Sequence, residues 1–125
     1  MGYFDNLFII KSKEETGNGF AFKLKCNPSH PVYQAHFPGN PITPGACMLQ
    51  TAVGLFQQIQ GREVCLKNAK SIKFINVLVP SEGKEIQFVF SQIENTGADI
   101  KVQVVVEDEN LKYSKMSLTF GNEIL

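Results

Sequence analysis

The chain reads as an α+β protein in which a curved antiparallel sheet wraps one long central helix. Three features predict this. A single helix-length segment beginning at Ala46 is apolar around most of its circumference, so it needs covering on several sides. About five or six other segments have strand character and are separated by turn formers rather than by further helices. A length of 125 residues suits one core, because two domains of half that size would each be marginal, so residues 1–125 are expected to form a single domain.

Between Asn6 and Cys26 two extended segments flank Gly17-Asn18-Gly19, residues able to supply the positive φ angles of a tight connection. Phe20, Phe22 and Leu24 alternate with Ala21, Lys23 and Lys25, which is the period of a strand with one buried face. A first hairpin is expected. Pro28 and Pro31 then break the pattern, and Val32 to Ala35 is too short to assign.

Thr43 is the expected N-cap of the helix, with Pro44 at the first helical position and Gly61 as the stop after Gln60. Its polar stripe is narrow and holds Gln50, Gly54 and Gln57. Gly54 costs about 1 kcal/mol relative to Ala, a cost that fits a close approach to the backbone there. Extended segments follow over Val64–Val79, Glu85–Glu94, Ile100–Glu107 and Leu111–Phe120, read as an antiparallel meander. Leu111 and Tyr113 fall out of phase with Met116, Leu118 and Phe120, which places a bulge near Ser114.

Composition narrows the partners. Twelve basic and twelve acidic side chains cancel, so nothing favours nucleic acid or an anionic membrane surface. No apolar run is long enough to cross a bilayer and no signal peptide is visible, so a soluble, cytoplasmic protein is expected. Met1-Gly2 is not read as a myristoylation site, because Asn6 stands where that pattern has Ser or Thr. Cys26, Cys47 and Cys65 lack both CxxC spacing and a paired-histidine pattern, which argues against disulfides and zinc. No cofactor and no metal are expected. Terminal strands leave unpaired sheet edges, and pairing them across a two-fold axis makes a homodimer the expected state.

The chemistry concentrates in His36-Phe37-Pro38-Gly39-Asn40-Pro41-Ile42-Thr43-Pro44-Gly45, which runs into the helix. His36 is a candidate base, and an exposed helix N-terminus suits developing negative charge. Nothing beside His30 in the sequence suggests a catalytic role and it reads as structural or solvated, Cys47 reads as a small buried hydrophobe, and Arg62, Lys67, Lys70 and Lys73 read as solvating charges.

This stretch closely resembles the active-site signature of the beta-hydroxyacyl-acyl carrier protein dehydratases of fatty acid synthesis. His30-Pro31-x-Tyr33-Gln34-Ala35 upstream, and Lys70-Ser71-Ile72-Lys73-Phe74 leading to Pro80-x-x-Gly83 downstream, are also similar to that family. The resemblance implies a hot-dog fold, dimerised through sheet edges, with the acyl chain in a tunnel at the interface. It implies that His36 removes water from a 3-hydroxyacyl thioester held on acyl carrier protein, paired with an acidic residue on the other subunit's helix. It also implies Gly45 N–H as oxyanion donor, assisted by Ala46 N–H, with Phe37, Pro38 and Gly39 shaping the substrate site.

Fourteen residues on from His36, the family's acidic position falls on Gln50. An amide cannot protonate a departing hydroxyl, and general acid-base assistance is worth about 10²- to 10⁴-fold, or about 3 to 5 kcal/mol of barrier. No other carboxylate lies on the helix, since the first acidic residue after Glu15 is Glu63. Three functions therefore stay open. One is a dehydratase of fatty acid or related lipid or polyene synthesis with a non-standard site. Another is an acyl-binding subunit of a dehydratase heterodimer whose acid comes from a related chain. The third is a thioesterase in which Gln50 orients water.

Overall fold

The structure, a computed structural model, describes residues 6–61 and 64–121. Met1, Gly2, Arg62 and Glu63 lie outside the described residues. The elements are β1 (Phe8–Thr16), β2 (Gly19–Cys26), α1 (Val32–Ala35), α2 (Gly45–Gln60), β3 (Cys65–Phe74), β4 (Glu85–Asn95), β5 (Asp99–Glu107) and β6 (Lys112–Gly121). The strands make one antiparallel sheet in the order β1-β2-β4-β5-β6-β3.

Alternation explains the core. Phe22 and Leu24 of β2 stand opposite Phe88 and Ile86 of β4, and Ile100, Val102, Val104 and Val106 line the same face of β5. Against that face α2 lays Met48, Ala52, Leu55 and Phe56. The Phe56 ring stacks on Phe120 at 4.5 Å and on Phe90 at 6.0 Å, so one helix residue joins β4 to β6. A helix apolar over most of its surface has nowhere else to bury it, and the sheet wraps it as expected.

The first hairpin forms, with Thr16 opposite Gly19. Its glycines act differently from the expectation, because none of Gly17, Asn18 and Gly19 takes a positive φ. Gly19 is required by proximity: a Cβ there would lie 1.8 Å from the Phe90 carbonyl oxygen on β4. The meander holds for β4, β5 and β6, whereas β3 crosses the sheet to pair with β6. The extended reading to Val79 also shortens, since β3 ends at Phe74 and its chain continues as a loop.

Strand β3 carries two register shifts, between Leu66 and Asn68 and between Ala69 and Ser71. Each inserts one lysine, Lys67 or Lys70, so Leu66, Ala69 and Ile72 pack toward the core at a spacing of three instead of two. The bulge expected near Ser114 is present. Val106 pairs with Ser114 and Glu107 with Lys112, leaving Tyr113 as the extra, fully buried residue.

That buried phenol needs a partner, and it donates its hydroxyl to Asp108 Oδ2. Asp108 Oδ1 accepts from the Asn110 and Leu111 N–H groups at 2.8 and 2.9 Å, and Lys84 Nζ stands 3.7 Å from Oδ2. The Tyr113 hydroxyl, then these N–H groups and the Lys84 ammonium, hold the Asp108 carboxyl below the usual carboxylate range. A depressed folded-state pKa adds stability that is present above the ordinary carboxylate value and lost as pH falls through the folded one. Stability of the wild type is therefore expected to decline below about pH 4. Asp108→Ala should cost about 1.5–3 kcal/mol at neutral pH and flatten that decline. Urea midpoints measured against pH check both, and parallel curves for the two proteins would show that the carboxylate is not involved.

Helix α2 starts without the expected capping side chain but stops at the expected glycine. Pro44, in an extended conformation, is the N-cap and makes no side-chain cap bond. Thr43 instead turns its hydroxyl to Tyr33 Oη at 2.9 Å, so it is a core clip and not the expected cap. Gly61 ends the helix as expected, at φ 68°. Gln57 is not free on the outer face, since its amide donates to the Val64 carbonyl at 3.0 Å. A Cβ at Gly54 would meet nothing within 4 Å, so no close approach to that glycine comes from the described residues of this chain.

Candidate active site

The loop carrying His36 is held from both sides. A small second cluster of Leu7, Val32, Tyr33 and Cys47 packs α1 against the first turn of α2. Burial pushes the Tyr33 phenol up to about 12, so it stays a neutral hydrogen-bonding partner for Thr43. Burial likewise pushes the Cys47 thiol up to about 11, which makes it a packed hydrophobe despite its place at a helix start. His30 Nδ1 accepts from the Val32 N–H at 3.0 Å, a structural role at the start of α1.

From that base the backbone sets the loop. The His36 N–H donates to the Val32 carbonyl, and the His36 carbonyl accepts from the Ile42 N–H at 2.9 Å. Between them Phe37 and Asn40 exchange N–H···O bonds around Pro38-Gly39, where Gly39 at φ 73° supplies the left-handed residue such a turn needs. The Thr43 N–H donates to the Leu78 carbonyl at 2.8 Å, which ties the loop to the segment after β3. The His36–Phe37 peptide is cis. The imidazole is exposed and meets the Phe37 ring edge-on at 5.5 Å.

At the end of the loop the helix start is open. The Cys47 and Met48 N–H groups both donate to the Pro44 carbonyl, and no side chain caps the helix. The Gly45 and Ala46 N–H groups are thus its remaining donors, at the positive end of the dipole. A Cβ on Gly45 would lie 2.4 Å from Cζ of Phe74, so the ring of Phe74 lies directly over residue 45 and would have to turn aside for any side chain there.

The expected site residues do not share one hollow. Phe37, Pro38 and Gly39 line an open depression of about 490 Å³ with Pro28, Tyr33 and Pro41. Gly45 lines another, of about 210 Å³, with Ile42, Met48, Phe74 and Leu78. Ala46 and Gln50 are exposed one turn apart on the outer face of α2. No carboxylate lies on α2, and among the described residues no three His, Cys, Asp or Glu side chains are grouped to hold a metal ion. No helix of the described residues is long and apolar enough to cross a membrane.

A family model described as ApeI-like, ApeI dehydratase, matches residues 11–116. The chain belongs to the ApeI-like dehydratase family. This ApeI-like chain is 33% identical over 96 residues to the 3-hydroxyacyl-acyl-carrier-protein dehydratase FabZ of Latilactobacillus sakei, covering 71% of this chain and 67% of that protein. Its fold is similar to the dehydratase heterocomplex ApeI:P from Xenorhabdus doucetiae, with a TM-score of 0.74 over 92% of this chain and 98% of the other, at 15% identity. A thioesterase-like protein of Lactococcus lactis follows the same fold, with a TM-score of 0.58, 16% identity and coverage of 97% and 96%. The wrapped sheet and helix of the ApeI-like chain are the hot-dog fold.

In the ApeI-like sequence nothing marked Tyr33 and Thr43 as partners, or Leu78 as the anchor of the loop. These contacts join positions far apart in sequence. Phe56 and Phe88 are fully buried in the core, and only Phe74, 55% exposed, borders the helix start.

Proposed function

We propose that this chain, as one hot-dog domain over residues 1–125, takes part in dehydrating a (3R)-hydroxyacyl thioester carried on acyl carrier protein. The carrying observation is that one backbone-clipped loop carries an exposed His36 and runs on into an uncapped helix start. His36 removes the α-hydrogen. The Gly45 and Ala46 N–H groups receive the thioester oxygen as charge develops on it. The C–O bond then breaks and the hydroxyl must leave as water, which requires a proton.

Gln50 cannot supply that proton, and α2 offers no other acid. The reading therefore places the acid on the helix of a second, related subunit docked over the site. Exposed Phe37, Phe74, Ile75, Val77 and Val79 leave apolar surface near the site for such a partner, and β1 and β3 leave the sheet edges open. The likeness to a dehydratase heterocomplex supports this over a pair of identical chains. A cytoplasmic setting fits the free thiols of Cys26, Cys47 and Cys65.

The test is reversible hydration of enoyl thioesters by the chain alone and with related dehydratase subunits from its genomic neighbourhood. Gln50→Glu in the isolated chain is expected to raise the rate by at least about tenfold, the low end of what an added general acid supplies. No gain in a folded, assembled variant would remove position 50 as the missing acid. Thioester hydrolysis is the second reading, because an amide at position 50 can orient water. Steady release of free thiol with no hydration would replace the first reading with it.

A further inference from the structure

Phe74 is the last residue of β3 and stands opposite the buried Ser114 on the helix side of the sheet. Its ring points end-on at Gly45, with Cζ, Cε1 and Cε2 at 2.4, 2.7 and 2.9 Å from where a Cβ of residue 45 would sit. The same ring walls the hollow of about 210 Å³ whose other apolar walls are Ile42, Met48, Ile75, Val77 and Leu78. A group bound at the Gly45 N–H has this hollow beside it.

The backbone before Phe74 is held by the pairing of β3 with β6, and the backbone after it by two hydrogen bonds. The Ile75 N–H donates to the Tyr113 carbonyl at 2.9 Å, and the Leu78 carbonyl accepts from Thr43. The ring itself is 55% exposed, so one edge rests on the helix start while the rest faces solvent. A fixed backbone with a half-exposed aromatic ring makes a wall that moves by side-chain rotation alone.

We infer that Phe74 is the specificity-determining wall of the acyl site, setting how large an acyl group can lie beside Gly45. The inference rests on the dehydratase reading above. It differs from a purely structural role, in which Phe74 would only pin the helix start. Shortening the ring then enlarges the hollow and admits longer chains. A structural role would lower activity on all chains equally.

Two measurements test it. In the first, kcat/KM for hydration of butenoyl- and octenoyl-pantetheine is compared in wild type, Phe74→Ala and Phe74→Tyr, in the active assembly. Phe74→Ala is expected to raise the octenoyl-to-butenoyl ratio by about tenfold, the scale at which hydrophobic pockets discriminate methylene groups. Phe74→Tyr should leave the ratio near wild type. An equal loss on both substrates, or an unchanged ratio, overturns the inference.

The second needs no turnover. The chain contains no tryptophan, so Phe74→Trp places a single reporter at the wall. Octanoyl-pantetheine should change its emission saturably, and pantetheine alone should not. Unchanged emission at thioester concentrations that raise the Tm overturns the inference while leaving the dehydratase reading intact. If no thioester raises the Tm and none is turned over in any assembly, the dehydratase reading fails and this inference falls with it.

Discussion

His36→Ala lowers enoyl-thioester hydration by about 10²- to 10⁴-fold, equivalent to about 3 to 5 kcal/mol of barrier, while the protein stays folded. The physical case separates the side chain from its backbone. The bonds that hold the loop run from the His36 N–H to Val32 and from Ile42 to the His36 carbonyl, and alanine keeps both. The imidazole is exposed and fills no core space, so its removal should change stability by no more than about 0.5 kcal/mol. A drop in kcat/KM with an unshifted urea midpoint would thus locate the effect in chemistry. His36→Gln should be nearly as impaired, because it keeps polarity and loses the base. An unchanged rate in either variant would exclude His36 from the reaction.

The second large effect is in the core. Phe56→Ala is expected to destabilise the fold by about 3 to 5 kcal/mol, the usual range for truncating a buried aromatic ring. Phe56 is fully buried, and its ring contacts Phe90 and Phe120 on two strands separated in the sheet by β5. Removing it leaves a void between the helix and both of these strands. Against the typical 5 to 15 kcal/mol of a small domain, that is a large share of the whole. Equilibrium urea unfolding measures it, and a loss under about 1 kcal/mol would mean that the core collapses around the gap far better than cores of this kind do.

Both predictions draw on features that differ in how far the sequence revealed them. The His36 loop was legible because its residues are tied to local geometry: proline and glycine fix the turn, and the helix begins where the loop ends. The helix end at Gly61, the hairpin and the bulge at Tyr113 were legible for the same reason. Strand β3 was harder to bound. Its two bulges turn the inward spacing from two to three, so the alternation that marks a strand is absent there.

The sequence by itself determined that one long apolar helix needs a sheet around it, that His36 lies in a proline- and glycine-rich loop running into that helix, and that no carboxylate stands on it. These follow from local periodicity, turn chemistry and residue identity. Only the tertiary structure decided that β3 leaves the meander for β6, that Thr43 serves Tyr33 instead of capping the helix, and that the Phe74 ring lies against Gly45. Each depends on which distant segments share space. That is set by burying all the apolar faces at once, and no local pattern encodes it.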